Sequence, residues 1–149
     1  MINHKLKCIF IHIPRCAGTY VEKVLDGRDW WRVDKAQKHL SAKEAKARYS
    51  DVWDSYYKFS MVRNPWALEV SWFFWKKRHN LNISFEEFVN NSQLNSTAKI
   101  SQNLDDKRFA KLWSDHGSCY EWLSCDGRIE LDFVGKVENI KEDIAHVCE

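Results

Sequence analysis

The segment from Lys7 to Tyr20, KCIFIHIPRCAGTY, constrains the fold more than any other part of the chain. Ile9, Phe10, Ile11 and Ile13 are β-branched or aromatic and favour a strand, and Pro14 cannot continue a central ladder. Gly18 permits the close backbone approach that an anion needs, and apolar residues at Tyr20, Val21, Val24 and Leu25 follow with helical spacing. The pattern is a strand that empties through a turn into a helix, whose unsatisfied first-turn N–H groups point back at whatever anion Arg15 attracts. A Walker A loop would require G-x-x-x-x-G-K-[ST], which the segment lacks.

A second segment, FSMVRNPWALEVSWFFW from Phe59 to Trp75, repeats the strand-to-helix logic. Phe59, Met61 and Val62 continue a strand, Asn64 can cap, and Pro65 suits the first helical position. Ser71 lies about two turns beyond Asn64, which returns it to the helix face beneath the strand end. The Arg63 fork and the Ser71 hydroxyl can therefore converge on one phosphate.

Taken in this order, the two segments resemble the phosphate-binding motifs of the PAPS-dependent sulfotransferases. The likeness is to the carbohydrate-type family in particular, whose loop reads aromatic-Ile-His-Ile-Pro-Lys-Thr-Ala/Gly-Gly-Thr-Ser. The resemblance implies that Arg15, Cys16, Ala17, Gly18, Thr19 and Tyr20 grip the 5′-phosphosulfate, with Arg15 also stabilising charge on the leaving oxygen. It implies that Arg63 and Ser71 hold the 3′-phosphate, and that His39, between the motifs in KHLSAKEAK, is the base that takes the acceptor proton. The fold implied is α/β, one domain over residues 1–149, with a mainly parallel sheet flanked by helices as in the P-loop kinases. The activity implied is sulfuryl transfer from PAPS to a hydroxyl on a carbohydrate, releasing 3′,5′-ADP. No metal is needed in that scheme, because fixed cations supply the charge that magnesium supplies in kinases. The stretch YEWLSCDGRIELDFVGKVENIKEDI resembles the family's closing region, so the likeness spans most of the chain.

Several positions depart from the family pattern. The usual loop Lys is Arg15, which keeps the charge and gains a fork but cannot donate a proton at neutral pH. The usual Thr after it is Cys16, which leaves more of the hydrogen bonding to backbone N–H groups and Thr19. Ala67 and Leu68 replace an acidic residue and an Arg that commonly follow the Asn-Pro-aromatic triplet, which predicts weaker support around Arg63. Relatives generally continue beyond the point where this chain stops, so a C-terminal truncation and a non-catalytic nucleotide- or partner-binding remnant stand as alternatives. A kinase on the same architecture is a third, and it lacks its Lys-Ser/Thr pair. For His39 the competing reading is a surface or capping histidine just before a helix.

Composition narrows the classes. The net charge is +2 with 30% charged residues, so no global basic field calls for nucleic acid and any anion site must be local. The run from Trp72 to Arg78 mixes aromatics with cations, but on a helix it reads as core aromatics with a basic last turn that complements the dipole. Five cysteines without a CxxC pair argue against a disulfide framework or a zinc site and fit a reducing cytoplasm. His116, Cys119 and Cys125 have no metal-ligand spacing, and His12, among apolar neighbours, reads as a satisfied core histidine. The N-terminal MINHKLKCIF holds no stretch of signal-peptide length, and no window approaches a membrane span. The Golgi members of the family carry a membrane anchor, so its absence here points to a cytoplasmic protein.

Capping boxes at Ser41–Glu44 and Ser84–Glu87 predict helices from Ala42 to about Tyr49 and through Val89. Residues 26–38 read as a loop over the sheet, and 90–106, rich in Asn, Ser and Gln, as a loop or lid. Short helix 118–123, a turn at Asp126-Gly127, a strand over 129–134 and a last helix opened at Asn139 complete the expectation.

Overall fold

The computed structural model describes residues 1–79, 82–90 and 118–149. Two compact units divide the chain, one of Met1–Asn64 with Cys119–Glu149 and the other of Pro65–Ser118. The expected lid lies almost wholly outside the described residues, as does His116.

The first unit is built on a four-stranded sheet of β1 (Ile2–Asn3), β2 (Cys8–Ile11), β3 (Tyr57–Val62) and β6 (Phe133–Lys136), in that order. β1 is antiparallel to β2, and β2, β3 and β6 run parallel. Parallel neighbours need crossovers. Between β2 and β3 the crossover carries α1 (Gly18–Asp26) and α2 (Ala42–Arg48). α6 (Ile140–Cys148) follows β6 and a 3₁₀ turn at Val137–Asn139. The α/β expectation of a mainly parallel sheet with helices is met.

β2 is buried along its whole length, as a central parallel strand should be. Phe10 and Phe59 are directly opposed in the register, with ring centroids 5.1 Å apart, a cross-strand aromatic pair that helps fix that register. Around them pack Val21 of α1, Trp30, Met61 and Ile144 of α6. Ser60 ties the same two strands through a 2.7 Å bond from its hydroxyl to the Ile11 carbonyl.

α2 begins as its sequence dictates. Ser41 Oγ accepts from the Glu44 amide, and the Glu44 carboxylate accepts from the Ser41 amide at 2.7 Å. Such a cap is worth about 1 kcal/mol. The last helix opens at Asn139 as expected, with Asn139 at its N-cap position but without a side-chain cap, and it follows directly on the 3₁₀ turn.

The expected strand over 129–134 is two strands. β4 (Ser124–Cys125) and β5 (Arg128–Ile129) form a separate hairpin, turned by Asp126 and Gly127 with φ of 49° and 78°, the signature of a type I′ turn. Asp132 then breaks the run. Its carboxylate accepts the Lys58 amide at 2.7 Å and meets the Lys58 ammonium at 3.0 Å, which starts β6 beside β3 only at Phe133. α5 (Cys119–Leu123) leads into this hairpin.

The second unit contains α3 (Pro65–Arg78) and α4 (Phe85–Asn90). Phe73 lies 5.2 Å from Phe85 and 5.6 Å from Phe88 between ring centroids. Lys76 sits over the Phe88 ring and Lys77 over the Phe73 ring. The aromatic and basic run thus packs on itself and on α4. Among the described residues no helix is long and apolar enough to cross a membrane.

Candidate active site

The turn between β2 and α1 carries two residues in a left-handed conformation that lack the freedom of glycine, Arg15 at φ 65° and Ala17 at φ 57°. Each costs on the order of 1–3 kcal/mol, and such outliers persist where surrounding structure holds them for a purpose. Ala17 is the N-cap of α1 and offers no side-chain cap. The Tyr20 and Val21 amides both turn back to the Ala17 carbonyl, at 2.9 and 3.2 Å. The Gly18 and Thr19 amides precede that hydrogen-bonding and make up the anion-seeking end of the helix.

Gly18 has a second reason to be glycine. A Cβ there would collide with the imidazole of His12, whose ring edge lies against the Gly18 backbone. The strand end and the helix start are therefore packed directly on one another.

Beneath the turn lies a buried polar cluster. His12 Nδ1 is 2.7 Å from Glu22 Oε1, and the Lys38 ammonium donates to Glu22 Oε2 at 2.7 Å. Lys38 also donates to Asp29 Oδ1 and, at 3.4 Å, to the Thr19 hydroxyl. The second carboxylate oxygen of Glu22 accepts the Trp30 amide as well. Glu22 is wholly buried, and His12 and Lys38 are each only 4% exposed. Burial, reinforced by the Lys38 charge, holds the His12 pKa well below its ordinary value, so the pair with Glu22 is a neutral imidazole donating to a carboxylate. For Asp29, burial pushes upward, but hydrogen bonds from Lys38 and the Trp31 amide together hold it below the usual range. The ammonium of Lys38 thus balances the carboxylates, and the cluster ties α1 to the residues before α2.

His39 is part of the same assembly. Its Nδ1 is 3.0 Å from the His12 carbonyl, which can only accept, so Nδ1 carries the proton and Nε2 holds the lone pair. The two histidine rings are 4.3 Å apart between centroids. His39 is 4% exposed, which excludes the surface-histidine reading. Burial, then His12, lowers its pKa well below the ordinary value, so the ring is neutral across the physiological range.

At the end of β3, Arg63 reaches across to the turn. Its Nη1 donates to the Arg15 carbonyl at 3.3 Å, and its buried Nε has no hydrogen-bond partner. A buried guanidinium N–H without an acceptor is costly. Glu138 accepts the next amide, that of Asn64, at 2.9 Å. Ser71 lies half-buried in the middle of α3, in the second unit.

The first unit therefore gathers Arg15 to Tyr20, His39 and Arg63 at the carboxyl ends of β2 and β3, where open α/β sheets bind ligands. Sequence reasoning missed Glu22, Asp29 and Lys38. The signal for Glu22 was present, since it falls with Gly18, Val21 and Leu25 on the inward stripe of α1 and is a charge on an apolar face. Among the described residues no group of three or more His, Cys, Asp and Glu is arranged to hold a metal.

A family model described as "Sulfotransferase family" matches residues 1–149. An uncharacterized protein of Archaeoglobus fulgidus is 34% identical over 100 residues, which cover 66% of this chain and 69% of that protein. No solved structure matches. With the family model covering the whole of the sequence, the chain belongs to the sulfotransferase family.

Proposed function

We propose that residues 1–149 form one sulfotransferase domain that moves a sulfuryl group from PAPS to a hydroxyl of a carbohydrate acceptor and releases 3′,5′-ADP. The observation that carries this reading is Arg63, whose buried Nε lacks an acceptor while its Nη1 is tied to the loop at Arg15. That arrangement fits a nucleotide phosphate held between strand end and loop. PAPS brings an activated sulfuryl group on a phosphate leaving group, and the chain supplies position and charge.

In this reading the Gly18 and Thr19 amides receive the 5′-phosphosulfate, with Cys16, Ala17 and Tyr20 shaping the cradle. Arg15 sets a fixed positive charge beside the leaving oxygen, where charge grows as the bond to sulfur breaks. Arg63 and Ser71 bind the 3′-phosphate, the group that separates this nucleotide from ATP. His39 accepts the acceptor proton at Nε2, while its Nδ1–H remains on the His12 carbonyl. The carbohydrate class of acceptor is supported by the likeness of the loop to the carbohydrate-type family, and a cytoplasmic setting by the free state of all five cysteines.

The test is binding that discriminates by the 3′-phosphate. Arg63→Ala removes a charge-assisted contact worth about 1.5–3 kcal/mol, or roughly one to two decades of 3′,5′-ADP affinity. Affinity for 5′-AMP is expected to stay within a few-fold. Equal losses for both nucleotides by calorimetry would assign Arg63 to the fold or to the 5′ end.

A further inference from the structure

We propose that Lys38 is a positioning residue for the turn between β2 and α1, aiming the Thr19 hydroxyl as a hydrogen-bond donor at the 5′ end of the nucleotide. The assignment rests on the proposed reading of that turn as the cradle of the 5′-phosphosulfate. Thr19 is the second residue of α1 and is half-buried. Behind it lies the Lys38 ammonium, 3.4 Å from the Thr19 oxygen. An ammonium has donors and no lone pair, so Thr19 can only accept from Lys38 and its own proton must point elsewhere. Among the described residues that proton meets no acceptor. The usual outlet for a threonine in a helix is a carbonyl three or four residues back. Four residues back is Arg15, whose carbonyl accepts instead from Arg63 Nη1.

Lys38 is itself held in place. Its other two N–H groups go to Glu22 Oε2 at 2.7 Å and to Asp29 Oδ1, so all three donors are engaged. Its side chain is buried with that of Glu22. Charge alone does not explain its presence under the turn. Two carboxylates against one ammonium, with His12 neutral, leave the cluster net negative, and a cluster of that sign does not draw in an anion. What Lys38 gives the turn is the direction of a hydroxyl, whose positive end faces away from the cluster. A donor fixed before the ligand arrives costs no reorganisation when it binds.

The experiment measures binding of 3′,5′-ADP and of adenosine 3′-monophosphate, which lacks the 5′-phosphate, to the full chain by calorimetry. Thr19→Val keeps the side-chain shape and removes the hydroxyl. Affinity for 3′,5′-ADP is expected to fall about tenfold or more, the scale of a lost hydrogen bond to a charged group. Thr19→Ser is expected to restore it to within a few-fold, and affinity for adenosine 3′-monophosphate to stay unchanged in both variants. Lys38→Met combined with Glu22→Gln, which leaves no stranded carboxylate at Glu22, should lower 3′,5′-ADP affinity in the parent background but not in Thr19→Val, where no hydroxyl is left to aim.

A second measurement leaves Lys38 in place and so guards against misfolding of the Lys38 variants. The Lys38 ammonium resonance in nitrogen NMR should move in Thr19→Val and stay in Thr19→Ser. Additive losses, equal losses for both nucleotides, or an ammonium resonance indifferent to Thr19→Val would overturn the assignment and leave Lys38 a buried charge partner only. A parent that does not bind 3′,5′-ADP would overturn the proposed function and this assignment together, whereas the other failures, seen in a parent that binds it, overturn the assignment alone.

Discussion

Lys38→Met is expected to destabilise the protein by about 3–5 kcal/mol, the usual cost of removing one partner from a buried ion pair. For a chain of this size that lowers the melting temperature by about 6–20 °C. Lys38 faces two carboxylates and is 5% exposed at its side chain, while Glu22 is fully buried. Methionine fills the space of the alkyl stem, so the loss reports the stranded Glu22 charge and not a cavity. Adding Glu22→Gln to Lys38→Met removes that stranded charge and should recover part of the stability. A single variant within about 1 kcal/mol of the parent, measured by denaturant titration, would show that solvent reaches the cluster.

The same cluster predicts the direction of pH dependence. His12 and His39 both have folded pKa values below the ordinary histidine value. Their neutral forms are therefore favoured by folding, and the unfolded chain binds more protons as pH falls below about 6.5. Their stabilising effect is present above that pH and is lost on acidification, by at most about 1.4 kcal/mol per pH unit for each ring. The amino group of Met1, which burial lowers to about 5, acts with the same sign. Melting temperatures should accordingly fall from pH 7.5 to 5.5, and His39→Asn should flatten the slope. A parent that gains stability on acidification would mean that His12 is an imidazolium paired with Glu22.

What was legible in the sequence is what depends on local chemistry. The β-branched run ending at Pro14 announces β2 and its turn, Pro65 announces α3, and Ser41 with Glu44 announces α2, because each signal and its structural effect lie within a few residues. The polar cluster was not legible, since Glu22, Asp29 and Lys38 come together only when the residues after α1 fold back over it. Lys38 taken alone looks like any solvated lysine. Likewise the split between β5 and β6 depends on Asp132 meeting Lys58, a contact 74 residues apart that no periodicity can reveal. The role of Gly18 was half visible. Its place before a helix suggested an anion, while its contact with His12 required both elements to be in place.

The largest expected effect on activity is at His39. Loss of a positioned general base typically lowers the rate by about 10² to 10⁴, equivalent to about 2.7–5.5 kcal/mol in the barrier. Because His39 is buried and bonded to the His12 carbonyl, His39→Ala would mix a cavity and an unsatisfied carbonyl with any catalytic loss. His39→Asn separates them, since its amide can take over the Nδ1 donor role but offers no lone-pair nitrogen in place of Nε2. The expected result is a folded protein that binds 3′,5′-ADP like the parent and transfers sulfuryl groups at least a hundredfold more slowly, on the scale of a lost base. The rival base is His12, but its Nδ1 is committed to Glu22 and its other edge is pressed against Gly18. The parent should also hold its activity through neutral pH and lose it only well below 6.5, in keeping with the lowered His39 pKa. Turnover of His39→Asn within a few-fold of the parent at saturating PAPS would leave His39 a structural link between the turn and α2.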